Sequence, residues 1–317
     1  MLTITGLMII LVVVALLLSG RVSPVVALIL VPLVGAFLAG FSAVEITGFF
    51  NAGLIKVAPV AAMFIFAILF FGVMQDAGLF RPIIDGLIAL TRGNVVAVAV
   101  GTSLAGMLAH LDGAGATTFL LTIPALAPVY ARLRMSPYLM LLLLAIGAGI
   151  FNMMPWAGPL GRAAAVIGTD VTELWRPLIP VQAAGAVMLV GFAAMLGLRE
   201  QRRVVALPAM TGGGPGPIAE PPRAENQPHP NGLLVLANAA IFAVVMAALV
   251  TGILPAAYIF MIGLGLALPL NHRGSKEQMA QISAHAPNAI TMGAIILAAG
   301  SFLGVMDKSG MLSAIAG

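Results

Sequence analysis

Three ionisable side chains lie inside long apolar stretches of the sequence: His110, Asp112 and Arg162. An ionisable group in an apolar medium is costly, so such residues usually line a pathway or pair with one another. Their chemistry is complementary. A carboxyl or an imidazole can carry a proton or contact a cation, whereas a guanidinium can hold a carboxylate through two parallel hydrogen bonds.

The first motif, AHLDGAGATTF, surrounds His110 and Asp112 at residues 109–119. Glycines let the backbone approach a ligand closely, and a helix beginning near Ala116 would offer free N–H groups to an anion. The positions that we expect to contact an anion in this way are Gly113, Gly115, Thr117 and Thr118.

Asp112 cannot itself attract an anion, so we expect it to contact a cation that accompanies the anion, or to carry a proton. Desolvation favours the neutral carboxyl and so favours proton uptake. The structural alternative for Asp112 is a helix N-cap. His110 is a second candidate for proton coupling, and its alternative is an ordinary hydrogen bond between helices.

The second motif, FNMMPWAGPLGRAAAVIG, occupies residues 151–168. Its prolines, together with Gly158, predict a broken helix, and non-helical backbone at membrane depth is tolerated where it lines a cavity. The half that begins near Gly158 should point its N-terminus at the gap. Arg162 follows one turn later, and Asn152 offers an amide before the break. Alternatively, Arg162 extends to the membrane surface near Asp170; Trp156 is either a lid or an interfacial anchor.

The composition predicts the elements that carry these motifs. Of 317 residues, 61% are hydrophobic and 8% are charged, which indicates a lipid bilayer as the solvent. Nucleic acid is not an expected partner despite the basic balance, because the basic residues stand singly or in short clusters between apolar runs. The absence of cysteine excludes a thiol nucleophile. The sequence also lacks nucleotide-binding and hydrolase motifs, so we do not expect an enzyme.

Eight apolar runs are long enough to cross a membrane as helices, at about 3–20, 24–41, 57–75, 137–168, 177–197, 232–250, 254–270 and 286–304. Residues 42–56 and 77–93 are predicted to be interfacial. Residues 94–130 consist of two short apolar arms around the first motif, which predicts a re-entrant hairpin; two short spans are the alternative. If the N-terminus faces outside, eleven Lys and Arg residues face the cytoplasm and three face out.

The sequence also contains an internal repeat. FGVMQDAGLF at 71–80 matches LGVMDKSGML at 303–312 at an offset of 232, and an odd number of crossings between the copies makes the second copy inverted. Inverted repeats are typical of secondary transporters. We therefore predict first-repeat scaffold helices at 1–93, half of a transport domain at 94–197, a cytoplasmic linker at 198–231 and truncated second-repeat scaffold helices at 232–317.

Both motifs, extended to AHLDGAGATTFLLTIPALAP and NMMPWAGPLGRAAAV and preceded by FGVMQDAGLF, resemble the citrate–divalent metal:proton symporters (CitMHS family) of the ion transporter superfamily. The resemblance implies a homodimeric inner-membrane carrier of bacteria. It would take up citrate as a complex with Mg²⁺ or Ca²⁺, coupled to protons, with no permanently bound cofactor. The transport domain would move as an elevator, with 112–118 as a hairpin tip and 152–162 as a broken helix.

The resemblance also implies a second hairpin and a second broken helix, which this chain does not include. We therefore expect a truncated chain. Two other hypotheses remain open: a carrier of another di- or tricarboxylate or anion, possibly coupled to sodium, and a fragment that binds or assembles without transporting.

Overall fold

The computed structural model describes residues 2–79, 82, 86, 91, 93–113, 115–206 and 232–316, and for Asp112 and residues 115–117 it describes only the backbone. The first helices of the described chain are α1 (Leu2–Ser19), α2 (Pro24–Leu38), α3 (Ala43–Asp76), α4 (Val95–Ala109), α5 (Gly115–Arg132), α6 (Pro137–Phe151) and α7 (Gly158–Ile167). They are followed by α8 (Val171–Trp175), α9 (Ile179–Ala206), α10 (Gly232–Thr251), α11 (Ala256–Asn271), α12 (Ser275–Lys308) and α13 (Met311–Ala316).

Within the described residues the structure is helical, with no strand. Five segments are long and apolar enough to cross a membrane, namely α1, α3, the α8–α9 segment, α10 and α12, and four shorter apolar helices accompany them. Large apolar side chains are exposed on the outer helices, such as Leu18 at 83% and Ile4 at 69%. This exposure is what a lipid solvent allows, and the chain is an all-α, polytopic membrane protein.

Local capping explains where the helices that carry the motifs begin and end. Ser42 and Glu45 form a capping box at the start of α3, and the Asn94 side chain accepts hydrogen bonds from the first amides of α4. The helix α7 ends at Ile167 and is followed by Gly168, whose φ of 77° is easily reached by glycine.

Helix boundaries recur at the offset that the repeat predicted. Both α3 and α12 have 34 residues, and their first and last residues are each separated by 232 positions. The left-handed glycines after α1 and α10, Gly20 and Gly252, have φ values of 64° and 63°. The inversion of the second copy, and its incompleteness, stay predictions.

The two long helices pack against each other through small residues. A Cβ on Gly53 of α3 would collide with the backbone of Gly300 and Gly304 on α12. Farther along the pair, the His285 ring of α12 lies against Gly72 of α3, where a Cβ would be 2.5 Å from the ring. Backbone contact of this kind is typical of helix pairs in membranes.

Several element boundaries differ from those expected. Residues 42–56 and 57–75 belong to one continuous helix, α3, and the span expected at 286–304 begins eleven residues earlier, as α12. The first nine residues of the predicted linker 198–231 are helical, because α9 continues to Ala206. Its last turns carry Glu200 and Arg203, whose ion pair supports a helix beyond the apolar run. Most of 77–93 lies outside the described residues.

Candidate functional site

The first motif forms the turn between α4 and α5. The helix α4 ends at Ala109, a 3-10 turn covers His110–Asp112, and Gly113 follows with a φ of 72°. The helix α5 begins at Gly115, one residue before the expected start. Close packing also favours glycine at position 113, since a Cβ there would lie 3.2 Å from the Trp156 carbonyl oxygen. We call residues 110–113 the hairpin tip.

The second motif breaks its helix as expected. The helix α6 ends at Phe151 and α7 begins at Gly158, and we call residues 152–157 the break. Close packing of α4 on α6 sets the position of the tip beside the break. A Cβ on Gly147 of α6 would lie 3.1 Å from the Ser103 carbonyl oxygen of α4, so both glycine-containing helices approach at backbone distance.

Trp156 joins the hairpin tip to the break. Its indole Nε1–H donates to the Leu111 carbonyl oxygen at 2.6 Å, and the ring is only 2% exposed. It packs edge-on against Phe260, with ring centroids 5.4 Å apart. Trp156 is therefore a buried link between the hairpin tip and the break and not an interfacial anchor, while the role of a lid stays a prediction.

His110 connects the same two segments through its imidazole. Its Nδ1 lies 2.8 Å from the Thr118 hydroxyl oxygen, and its Nε2 lies 3.5 Å from Asn152 Oδ1. Both His110 and Thr118 are buried. The Thr118 hydroxyl that the sequence suggested as an anion donor thus contacts His110 in this structure. A hydroxyl can donate to a neutral imidazole or accept from a protonated one, so this contact fits either protonation state.

Arg162 lies on the exposed face of α7. The helix itself is held against α3, because Gly161 packs directly on the Phe64 ring, and near the end of α7 the Lys56 ammonium donates to the Val166 carbonyl at 3.4 Å. The Arg162 side chain turns back toward the break. Its Nη2 would be 3.1 Å from a Cβ on Gly158, at the first turn of α7.

No hydrogen bond or ion pair to Arg162 is found within the described part of the chain. Asp170, the partner of the alternative interpretation, instead accepts from the Thr172 N–H at 2.8 Å and caps α8. A guanidinium with no partner among the described residues thus lies beside a helix N-terminus, and both features favour an anion. The structure therefore combines at one place the two anion-attracting features that the sequence predicted for Gly158 and Arg162.

The remaining predicted site residues are placed only by their backbone. Asp112 ends the 3-10 turn of the tip, and Gly115 and Thr117 lie in the first turn of α5. Their side-chain contacts lie outside the described residues. In the parts of the chain that are described, no group of three His, Asp or Glu side chains could hold a metal ion.

Sequence reasoning missed two contacts that build the site. The indole bond from Trp156 to Leu111 could not be anticipated, because a backbone acceptor leaves no signal in a sequence. The contact between Thr118 and His110 had a weak signal, since eight residues separate a threonine and a histidine across a glycine turn. The first contact holds the tip against the break, and the second holds it against α5.

Comparisons with known proteins agree with this architecture. The family model described as citrate transporter matches residues 1–317. A citrate transporter of Bacillus subtilis (strain 168) is 36% identical over 316 residues, covering 100% of this chain and 72% of the relative. The Mg(2+)/citrate complex secondary transporter of the same organism is 35% identical, with the same coverage of both chains. The chain therefore belongs to the citrate transporter family, whose members are transporters and not enzymes.

Proposed function

We propose that the protein is a symporter that takes up citrate as a complex with a divalent metal ion, Mg²⁺ or Ca²⁺, together with protons. The name of the relative that transports a Mg²⁺/citrate complex supports the metal-bound form of the substrate. We place the protein in the inner membrane of a bacterium with its N-terminus outside, on the distribution of Lys and Arg.

Charge is the physical reason for moving citrate as a complex. Free citrate carries about three negative charges near pH 7, and moving each charge inward against a negative potential costs about 2.3 kcal/mol per 100 mV. A divalent cation bound to citrate removes about two of those charges. Protons that enter with the complex compensate the remainder.

The observation that carries the proposal is the position of Arg162. Its guanidinium has no partner among the described residues, and it lies beside the first turn of α7. One guanidinium and the amides of one helix N-terminus match a carboxylate of a substrate that has little remaining net charge. They would be too few for a bare trianion.

The hairpin tip and the first turn of α5 supply the other half of the proposed site. Gly113 and Gly115 bring backbone close to the substrate, Thr117 adds a hydroxyl, and Asp112 contacts the metal ion of the complex or carries a proton. Asn152 and Thr118 hold His110 in place. His110 is the second proton carrier, because its hydroxyl partner accommodates the neutral and the protonated ring.

Uptake of labelled citrate tests this function. The gene would be expressed over its complete reading frame, and the protein reconstituted into proteoliposomes with and without Mg²⁺ or Ca²⁺. We expect uptake that requires the metal ion, rises with an inward proton gradient and falls at least about 100-fold in Arg162→Ala, the cost of a charge-assisted bidentate contact. Arg202→Ala, which removes an exposed arginine at the end of α9, is the matched control and should transport normally.

Two results would contradict the proposal. Uptake of citrate that is indifferent to the metal ion would indicate a carrier of another di- or tricarboxylate type. Equal uptake by the Arg162→Ala and Arg202→Ala proteins would remove Arg162 from the site.

A further inference from the structure

A separate cavity lies between the first turn of α6 and the last turns of α9. Its volume is about 540 Å³, and its lining includes Ser136, Tyr138, Leu142, Leu196, Arg199 and Arg203. The break follows the other end of α6, so about 22 Å of helix separates this cavity from the candidate substrate site. The proposed transport function gives it no role.

The polar side of the cavity contains an acid whose charge is already compensated. Glu200 is buried, and its carboxylate accepts the Ser136 N–H at 2.6 Å and the Arg203 Nε–H at 3.0 Å. Arg203 also donates to the Arg134 carbonyl oxygen at 2.9 Å. These bonds fix the rim of the cavity and leave Glu200 with no free charge to repel an anion.

Arg199 is the basic residue of the lining that stays available. It is exposed, and among the described residues it makes no hydrogen bond or ion pair. Further arginines near the same helix ends increase the local positive potential: Arg132, Arg134 and Arg202. The rim therefore attracts a negatively charged group and offers it one free guanidinium.

The other side of the cavity is apolar and opens onto exposed apolar surface. Leu142 is 44% exposed and Tyr138 is 80% exposed. The apolar surface continues along both helices with Leu141, Met195 and Leu198, each more than 40% exposed. A small soluble anion gains nothing from such a wall, whereas an acyl chain buries it at about 25 cal/mol for each Å² removed from water.

The position of Arg199 along α9 also fits a lipid as the bound molecule. It follows the start of α9 by about 20 residues, which corresponds to about 30 Å of helix, the thickness of the hydrocarbon core. A guanidinium at that position lies at the level of the lipid headgroups. Its side of the membrane is the cytoplasmic one in the orientation proposed above.

We propose that this cavity binds one phospholipid with an anionic headgroup. The headgroup phosphate contacts Arg199 at the rim, and one acyl chain lies along Leu142 and Leu196. Basic pockets between helices at the cytoplasmic surface are suited to such lipids, and here the pocket has a rim that is fixed by the bonds of Glu200.

Binding to the purified protein in a neutral detergent tests the proposal. The thermal melting temperature would be followed during titration with phosphatidylglycerol, with phosphatidylcholine and with inorganic phosphate. We expect saturable stabilisation by phosphatidylglycerol only. Arg199→Gln should weaken the apparent affinity roughly fivefold, the value expected for one charge near the membrane surface. Arg202→Gln removes the same charge three residues away, outside the cavity lining, and should leave the affinity unchanged.

A second variant tests the apolar wall without changing any charge. Leu142→Trp fills part of the cavity and should also weaken phosphatidylglycerol binding, while the unliganded melting temperature stays within a few degrees. Equal losses in the Arg199→Gln and Arg202→Gln proteins would show general attraction to a basic surface and overturn the proposal. Stabilisation by phosphate alone, or unchanged affinity in Leu142→Trp, would equally exclude a lipid bound along the leucines.

Discussion

The junction of the hairpin tip with the break and the crossing of α3 with α12 are both close contacts between helices, but different atoms make them. At the junction, side chains from one segment donate to the other, as from Trp156 to Leu111 and between His110 and Asn152. At the crossing, the backbone of Gly53 touches that of Gly304 directly. A contact made of directional bonds at a helix break can accommodate a ligand and a proton, whereas a contact between glycine backbones can only hold two helices together.

The repeat offset sharpens this contrast. Gly53 and His285 occupy equivalent positions, as do Gly72 and Gly304, so the same crossing occurs twice along the α3–α12 pair. At the second crossing a histidine replaces the glycine, and His285 Nε2 lies 2.8 Å from the Asp76 carboxylate. The molecule therefore has one histidine at the candidate site and one in the helix pair, which permits matched experiments.

The largest effect is expected from enlarging a glycine at the crossing. Gly53→Leu places a side chain where the backbone of α12 lies, and neither helix can move without disturbing the other contacts of the pair. We expect little folded protein by size-exclusion chromatography in detergent. Gly48→Leu on the same helix is the control, because no atom lies within 4 Å of a Cβ there. Normal yields for both variants would show that the crossing does not hold the pair together.

A smaller effect, confined to transport, is expected at the junction. Trp156→Phe keeps a ring in the core but leaves the Leu111 carbonyl without its donor, a loss of about 1–3 kcal/mol for a buried group. Trp175→Phe is the control for the loss of an indole donor. The Trp175 indole donates to Gln182 at 2.7 Å and, among the described residues, makes no bond to the tip, while its ring centroid lies 6.2 Å from that of Trp156. Both variants should lower the melting temperature similarly, while citrate uptake should fall about tenfold in Trp156→Phe alone. A tenfold loss in both would return Trp156 to a purely structural role.

The smallest change concerns the response of uptake to pH. His110→Gln retains a hydrogen-bonding side chain but cannot take up a proton near neutral pH. We expect uptake driven by a citrate gradient to continue, with its stimulation by a proton gradient lowered, since Asp112 stays as the other proposed proton carrier. His285→Gln loses a partly exposed pair with Asp76, which is worth about 1 kcal/mol or less, and should keep the stimulation. If the His285 variant loses the stimulation and the His110 variant keeps it, protons are coupled through the helix pair.

The sequence predicted the broken helix, the start of α7 at Gly158, and the turn with Gly113 and Gly115, because proline and glycine act locally on the backbone. It also predicted the offset of 232 that recurs in the boundaries of α3 and α12. The full length of α3 was not predicted. The polar residues near its start suggested a separate interfacial segment, whereas Ser42 and Glu45 form a capping box that begins the long helix there. The contact that Trp156 makes between the tip and the break depends on Leu111 and Phe260, which are distant in sequence, so no local pattern predicts it.

Direct binding of citrate to the purified protein tests the central claim, that Arg162 and the start of α7 hold a carboxylate of a metal-bound citrate. Isothermal titration calorimetry in lipid nanodiscs would compare citrate alone with citrate plus Mg²⁺, for the unmodified protein, Arg162→Lys and Arg162→Ala. We predict binding only with Mg²⁺, weakened about tenfold by lysine, which lacks the bidentate fork, and about 100-fold by alanine. Equal affinity for citrate with and without Mg²⁺, or an alanine variant that binds as well as the unmodified protein, would contradict the account.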